Sequence, residues 1–248
     1  MSSSPPARYN DLHALYINCT LKPTPQMSHT GLLMTASQDI MKAQGVAVEE
    51  VRAVDWQLAP GVQPDMRKHG FERDDWPELF KKVMAADILV IGSPIWLGER
   101  SSVCSRVIER LYAHSSDTNA KGQYIYYGKV GACLVTGNED GVKHVAQSVL
   151  FALQHIGYLI PPQSDAGWIG EVGPGASYGD QSPHGPVGFD NEFTQRMATF
   201  LTWNQLHLAR LMKDSGGIPA YGNQLDAWNA GQHFGFPREF TAPKPPDK

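Results

Sequence analysis

Ala86-Asp-Ile-Leu-Val-Ile-Gly-Ser-Pro-Ile-Trp-Leu-Gly-Glu-Arg-Ser-Ser-Val-Cys-Ser-Arg-Val-Ile-Glu-Arg-Leu111 is the stretch from which the rest of the chain can be placed. Its four consecutive apolar residues, Ile88 to Ile91, have no polar residue alternating with them. That pattern predicts a strand buried on both faces of a parallel sheet. Gly92, Ser93 and Pro94 predict the end of the strand. From Ser101 onward Val103, Val107 and Leu111 recur at helical spacing, with Ile108 beside them. The unit is therefore strand, loop, helix, and the loop lies at the carboxyl end of the strand, where open α/β sheets bind their ligands.

That loop, Ser93-Pro94-Ile95-Trp96-Leu97-Gly98, mixes small residues with two large aliphatic side chains and an indole. Small residues let backbone N–H groups approach a ligand. The apolar ones suit a flat, partly apolar heteroaromatic ring better than a bare phosphate. The plain alternative is an ordinary turn in which Trp96 completes the core.

Upstream, the first dozen residues read as a loosely attached arm, and His13–Asn18 as the first strand. A polar loop follows, then a helix from about Thr30 to Gln44 stopped by Gly45. Val46, Val48 and Val51 mark a second strand, 56–75 a surface connection, and Trp76-Pro77 the start of another helix. Downstream of the central unit, 114–129 is a polar and aromatic connection, Val130–Thr136 a fourth strand and Gly137–Gly141 its loop. A helix spans Val142–His155, and Gly157–Ile160 begins a fifth strand. This alternation predicts an α/β three-layer sandwich. Its five-stranded parallel sheet has the order 2-1-3-4-5, because no G-x-G-x-x-G follows the first strand to suggest the longer dinucleotide fold. In that order the loops after the first and third strands line one crevice.

Beyond the sheet, 165–189 has little regular patterning, yet Trp168, Tyr178 and Phe189 argue against plain disorder. A helix is expected from Asn191 to Lys213. One domain, 13–213, is thus followed by an aromatic extension, 214–248, holding Tyr221, Trp228, Phe234 and Phe236. The extension shows no helical or strand periodicity and is expected to pack on its own domain or on a partner subunit.

Composition narrows the function classes. The 248 residues are 42% hydrophobic and 19% charged, with a net charge of −4, which fits a globular chain and disfavours nucleic acid or an anionic membrane as partner. No apolar run approaches the roughly 18 residues of a membrane span, and the first residues lack a signal-peptide layout. Cys19, Cys104 and Cys133 form no C-x-x-C, so neither a disulfide framework nor a metal site is expected. A cytoplasmic protein with free thiols is the simplest reading.

The G-S-P-I-W-L-G segment at 92–98 resembles the ring-binding loop of the NADPH-dependent FMN reductase and flavodoxin-like family, and the resemblance extends over most of 13–160. It implies that Ser93, Pro94, Ile95, Trp96, Leu97 and Gly98 hold an isoalloxazine ring. It further implies that Thr20, Lys22, Ser28 and Thr30, after the first strand, bind the FMN phosphate. Leu21 stands where the family has Pro, and the loop is slightly longer. The loop after the fourth strand, with Thr136, Gly137, Asn138 and Gly141, would lie along the pyrimidine edge, although Glu139 and Asp140 replace the usual small residues. No catalytic side chain and no metal are required, because the flavin carries the redox step. The implied activity is hydride transfer from NAD(P)H through FMN to a small acceptor: a quinone, a nitro or azo aromatic, or free flavin. A homodimer or homotetramer is implied as well, and the Trp168–Phe189 segment is expected to wall the open face of the flavin, from its own chain or from a neighbouring subunit. A flavodoxin-type electron carrier without its own substrate is the alternative.

Overall fold

In the computed structural model, which describes residues 8–138, 140–173 and 175–237, Ile88–Ile91 lies at the centre of the sheet. Ile88 and Val90 face one helical layer, Leu89 and Ile91 the other, and all four are essentially inaccessible to solvent. Five parallel strands, β1 (His13–Asn18), β2 (Ala47–Arg52), β3 (Ile88–Trp96), β4 (Val130–Gly137) and β5 (Asp165–Ile169), pair in the order β2-β1-β3-β4-β5. This is the expected flavodoxin-like order. A two-residue strand, Glu99–Arg100, folds back antiparallel on the end of β3.

One layer consists of α1 (His29–Ala43) and α5 (Glu192–Ser215), whose Leu33, Met34, Leu201 and Leu206 cover the sheet. The other holds α2 (Trp76–Ala85), α3 (Ser102–Tyr112) and α4 (Val142–Ile156), with Trp76, Val107 and Val149 packed inward. A short helix, α6 (Leu225–Asn229), lies in the extension and buries no residue. Residues 238–248 of that extension fall outside the described residues.

Four sequence expectations need correction. β3 does not stop at Gly92 but runs to Trp96, with Ser93 paired to Val135 and Pro94 to Thr136. Pairing with β1 ends at Asn18–Gly92, so Pro94 sits where β3 has lost one neighbour, and its missing N–H costs no ladder bond there. The fifth strand is Asp165–Ile169, not Gly157–Ile160, where Leu159 makes only an isolated bridge to Val130. Gly167 masks the alternation of β5, and that glycine is required: a Cβ would lie 2.7 Å from the Val135 carbonyl oxygen and 2.8 Å from the Val142 side chain of α4.

Residues 8–12 are not a loose arm. Tyr9 and Leu12 are buried, and the Tyr9 hydroxyl meets His207 Nδ1 of α5 at 2.9 Å. The extension also contains regular structure, α6, and docks on its own domain. Gln123 Nε2 donates to the carbonyls of Ile218 (3.3 Å) and Pro219 (3.2 Å) and to Asn223 Oδ1 (2.8 Å).

Candidate functional site

The loop after β1 is held by side chains of its own neighbourhood. Asn18, fully buried, accepts from the Thr20 N–H at 3.1 Å, donates to Glu50 Oε1 at 3.0 Å and reaches Ser28 Oγ at 3.2 Å. Ser28 caps α1 by accepting from the Gly31 N–H at 3.0 Å. From β2, Arg52 Nη1 donates to the carbonyls of Lys22, Pro23 and Gln26, at 3.1, 3.1 and 2.6 Å. Asp55 accepts from the Thr24 N–H and hydroxyl, at 3.0 and 2.6 Å. The loop is therefore organised without a ligand, so little ordering cost remains for binding. The Lys22 ammonium has no partner among the described residues.

The loop after β3 is anchored through hydroxyls. Ser93 Oγ accepts from the Ser101 N–H (3.1 Å) and donates to the Pro94 carbonyl (2.9 Å), and Ser101 Oγ donates to the Cys19 carbonyl (2.7 Å). Leu97 (φ 52°) and Gly98 (φ 79°) turn the chain back in two residues, both left-handed as in a type I′ hairpin. Gly141, after β4, presses on that turn: a Cβ there would lie 2.8 Å from the Gly98 carbonyl oxygen. Across the sheet, Thr30 Oγ1 of α1 and Thr136 Oγ1 of β4 are 2.7 Å apart.

These pieces enclose a cleft of about 410 Å³ at the carboxyl ends of the strands, within the size range of small-molecule sites. Nine sequence-predicted residues converge on it: Thr20, Lys22 and Thr30; Pro94, Ile95 and Trp96; and Thr136, Gly137 and Asn138. Five do not. Ser28 and Ser93 are buried: Ser28 Oγ accepts from the Gly31 N–H and donates to Asn18 Oδ1, and Ser93 spends its hydroxyl on the backbone. Leu97, Gly98 and Gly141 border an adjoining, more open groove of about 790 Å³. Glu139, in the loop after β4, falls outside the described residues.

The cleft's described lining holds one lysine and no carboxylate, on a chain whose net charge is −4. Together with the free N–H groups of the first turn of α1, this favours an anion. Its acid–base repertoire is small. Burial pushes the Tyr178 hydroxyl above its ordinary range, and burial likewise raises the Cys19 thiol behind the loop, so both stay protonated. His29 Nδ1 faces the Tyr178 carbonyl oxygen at 3.0 Å, which fixes the ring proton on Nδ1.

Sequence reading missed His29, which lines the cleft; Gly173, Gly175, Ser177 and Tyr178, which line it too, belong to the 168–189 segment expected to wall it, and they come from the same chain. It also missed Asn18 and Arg52, which shape the first loop. A polar residue ending a strand at a ligand crevice, as Asn18 does, was the available signal. Arg52 lies 30 residues from Lys22 in sequence and left none.

Comparison with known proteins agrees with this geometry. The family described as NADPH-dependent FMN reductase matches residues 13–168. The 8-demethyl-8-aminoriboflavin-5′-phosphate synthase of Streptomyces davaonensis is 32% identical over 82% of this chain and 79% of its own length. The crystal structure of RosB with bound intermediate 8-demethyl-8-formylriboflavin-5′-phosphate superposes with a TM-score of 0.77 at 29% identity, covering 96% of this chain and 92% of RosB. A Mycobacterium bovis protein named divalent metal cation transporter MntH is 55% identical over 86% of this chain, which spans only 31% of that protein. Among the described residues no helix is long and apolar enough to cross a membrane, and no group of three or more His, Cys, Asp or Glu is placed to hold a metal ion.

Proposed function

The chain belongs to the NADPH-dependent FMN reductase family, and from that premise we propose that the cleft of about 410 Å³ holds one FMN for a two-electron oxidoreductase. The observation that carries this is the make-up of the cleft's described lining: an ammonium without a partner among the described residues and hydroxyls from the β1 loop and α1, an indole with proline and isoleucine from β3, and no carboxylate among them. A flavin phosphate has that same division into a dianion and a flat apolar ring.

In this reading Lys22 neutralises part of the phosphate charge. Thr20 and Thr30 donate hydrogen bonds to its oxygens, and the first turn of α1 adds backbone N–H groups. Pro94, Ile95 and Trp96 bear on the ring and exclude water from it. Thr136, Gly137 and Asn138 bring backbone polar groups to its other edge. FMN held there would supply the redox chemistry, hydride transfer between NAD(P)H and a quinone, a nitro or azo aromatic, or free flavin. The protein's task is binding, orientation and exclusion of solvent.

A second reading is favoured by one observation. The family match ends at residue 168, whereas the likeness to RosB covers 96% of the chain and so extends beyond the sheet into the segment whose Gly173–Tyr178 part lines the cleft. In that reading a flavin phosphate is itself the substrate, altered at ring position 8. One experiment separates the two. Protein loaded with FMN is mixed anaerobically with NADH or NADPH and then with a quinone, while absorbance is followed and the flavin is recovered for mass spectrometry. Bleaching, recovery of colour and an unaltered flavin support the reductase. A gain of mass at the ring, as exchange of the methyl for a formyl or amino group would give, in a parallel sample supplied with dioxygen as oxidant and an amine donor, supports the second reading. Reduction only by a small iron–sulfur carrier protein would point to an electron carrier, and failure to bind FMN would overturn all three.

A further inference from the structure

After Gly170 the described residues 171–173 and 175–177 run beside the cleft with little to hold them. Among the described residues, none of 171, 172, 173, 175 and 176 makes a backbone–backbone hydrogen bond. Their carbonyls converge instead on one side chain. Asn138 Nδ2 donates to the Gly175 carbonyl at 3.0 Å and the Ala176 carbonyl at 3.1 Å, and lies 3.5 Å from that of Glu171. Ser177 Oγ donates in return to Asn138 Oδ1 at 3.2 Å. A carboxamide has two donor hydrogens and one acceptor oxygen, so this arrangement uses all of it. The far end of the strap is fastened to α1, where His29 Nδ1 donates to the Tyr178 carbonyl at 3.0 Å and stands 3.7 Å from Asp180 Oδ1.

We propose that Asn138 is a positioning residue: its carboxamide latches the strap formed by 171–173 and 175–177 at the cleft and so governs how fast a flavin phosphate enters and leaves. The proposal rests on the reading of the cleft as the FMN site. Its geometry is independent of that reading. The strap joins the β4 loop to α1, the same two elements already joined inside the cleft by Thr30 and Thr136. Gly173, Gly175, Ser177 and Tyr178 form one wall of the cleft, so a ligand bound there is passed by the strap. Replacing the donors leaves several carbonyls with no protein partner, which releases the strap to water.

The test uses Asn138→Asp, which keeps the shape and the acceptor but removes both donors, with Ser177→Ala as a milder second variant. In the flavin-free protein, cleavage after Glu171 by a glutamate-specific protease is timed by mass spectrometry. It is expected to quicken about tenfold in Asn138→Asp and less in Ser177→Ala, with the melting temperature little changed. In FMN-loaded protein, release of FMN is followed by the rise in flavin fluorescence, and quenching of bound flavin by iodide is measured alongside. Both are expected to rise about tenfold and in the same rank order. Unchanged cleavage overturns the latch. Faster cleavage with unchanged release and quenching overturns the control of access, leaving FMN binding intact. A wild-type protein that binds no FMN overturns the functional reading beneath it. Should Asn138→Asp fail to fold, the same outcomes are read from Ser177→Ala.

Discussion

The hydroxyls of Thr30 and Thr136, 106 residues apart in sequence, share a 2.7 Å hydrogen bond inside the ligand cleft. Each hydroxyl has one proton, so whichever donates within the pair leaves the other's proton free for a ligand. In a titration with FMN, Thr30→Val should weaken binding by about one to two decades, the worth of a charge-assisted hydrogen bond. Thr30→Val and Thr136→Val should not add, because either one removes the shared bond. A double-mutant cycle that closes to zero would show that the pair does not act together on the ligand.

Lys22 is the cleft's one formal charge among the described lining residues. Lys22→Met should therefore weaken FMN while leaving riboflavin, which has no phosphate, nearly unaffected. The wild-type preference for FMN should also shrink with added salt. Equal loss for both flavins would place the lysine somewhere other than at the phosphate.

Asp74 and Arg110 form a 2.7 Å ion pair with both side chains fully buried. Asp74 also accepts from the N–H groups of Ala59, Met66 and Trp76, at 3.3, 2.9 and 3.2 Å, and so ties the long 56–75 connection to α3. Asp74→Ala leaves a buried guanidinium short of its partner and should cost about 3–5 kcal/mol in urea unfolding. A loss well under 1 kcal/mol would mean that the connection is held chiefly by other contacts.

Burial holds the His114 imidazole below its ordinary value of 6.5, against the opposing pull of Asp117. Trp76 Nε1 donates to His114 Nε2 at 3.2 Å, and Nδ1 meets Asp117 Oδ2 at 2.7 Å, so the neutral ring with its proton on Nδ1 satisfies both neighbours. As pH falls below 6.5 the unfolded chain takes up this proton first. This contribution to stability is therefore complete above pH 6.5 and is lost as the pH drops toward the lower, folded value. The urea midpoint of wild type should fall between pH 7.5 and 5.5, and His114→Phe should be less stable at both but lack that part of the slope.

The extension leaves aromatic surface uncovered: Tyr221 is 83% exposed, Phe236 62% and Trp228 43%. Each exposed ring forgoes on the order of 2 kcal/mol of burial, which a second copy of the chain would recover. Light scattering after size exclusion should show the full chain as a dimer or larger, and a chain ending before Gly216 as smaller or less stable. A clean monomer at micromolar concentration would refute the expectation.

How much of this was legible in the sequence follows from where the physics is local. Ile88–Ile91 gives the central strand because burial on both faces excludes polar residues, and the three loops follow because strand ends sit where apolar runs stop. The extent of β3 was not legible. Pro94 reads as a stop unless one knows that β1 has already ended beside it. Nor was β5, where Gly167 interrupts the alternation in order to let α4 approach. Ser28 and Ser93 do not line the cleft, because the hydroxyl of Ser28 turns to Asn18 and the Gly31 N–H and that of Ser93 to the backbone, a choice of hydrogen-bond partner that residue type does not reveal. His29 reaches the cleft only through tertiary contact, whereas Trp168, Tyr178 and Phe189 already marked their irregular segment as a wall, leaving open only which subunit supplied it.

The unequal lengths of β1 and β3 have an architectural consequence. β1 ends at Asn18, level with Gly92, while β3 continues, with Ser93 and Pro94 alongside β4 and Ile95 and Trp96 against the Glu99–Arg100 strand. At about 3.3 Å per residue, the sheet's upper edge steps by some 13 Å between two adjacent strands. The cleft is thus a terrace cut by the sheet itself, with the longer strand as its riser and the β1 loop as its tread. Its depth is counted in residues of β3, so deleting one pair from Ser93–Trp96 would lower the ledge by about half and, where the pair includes Ile95, would also thin the hydrophobic layer beneath it.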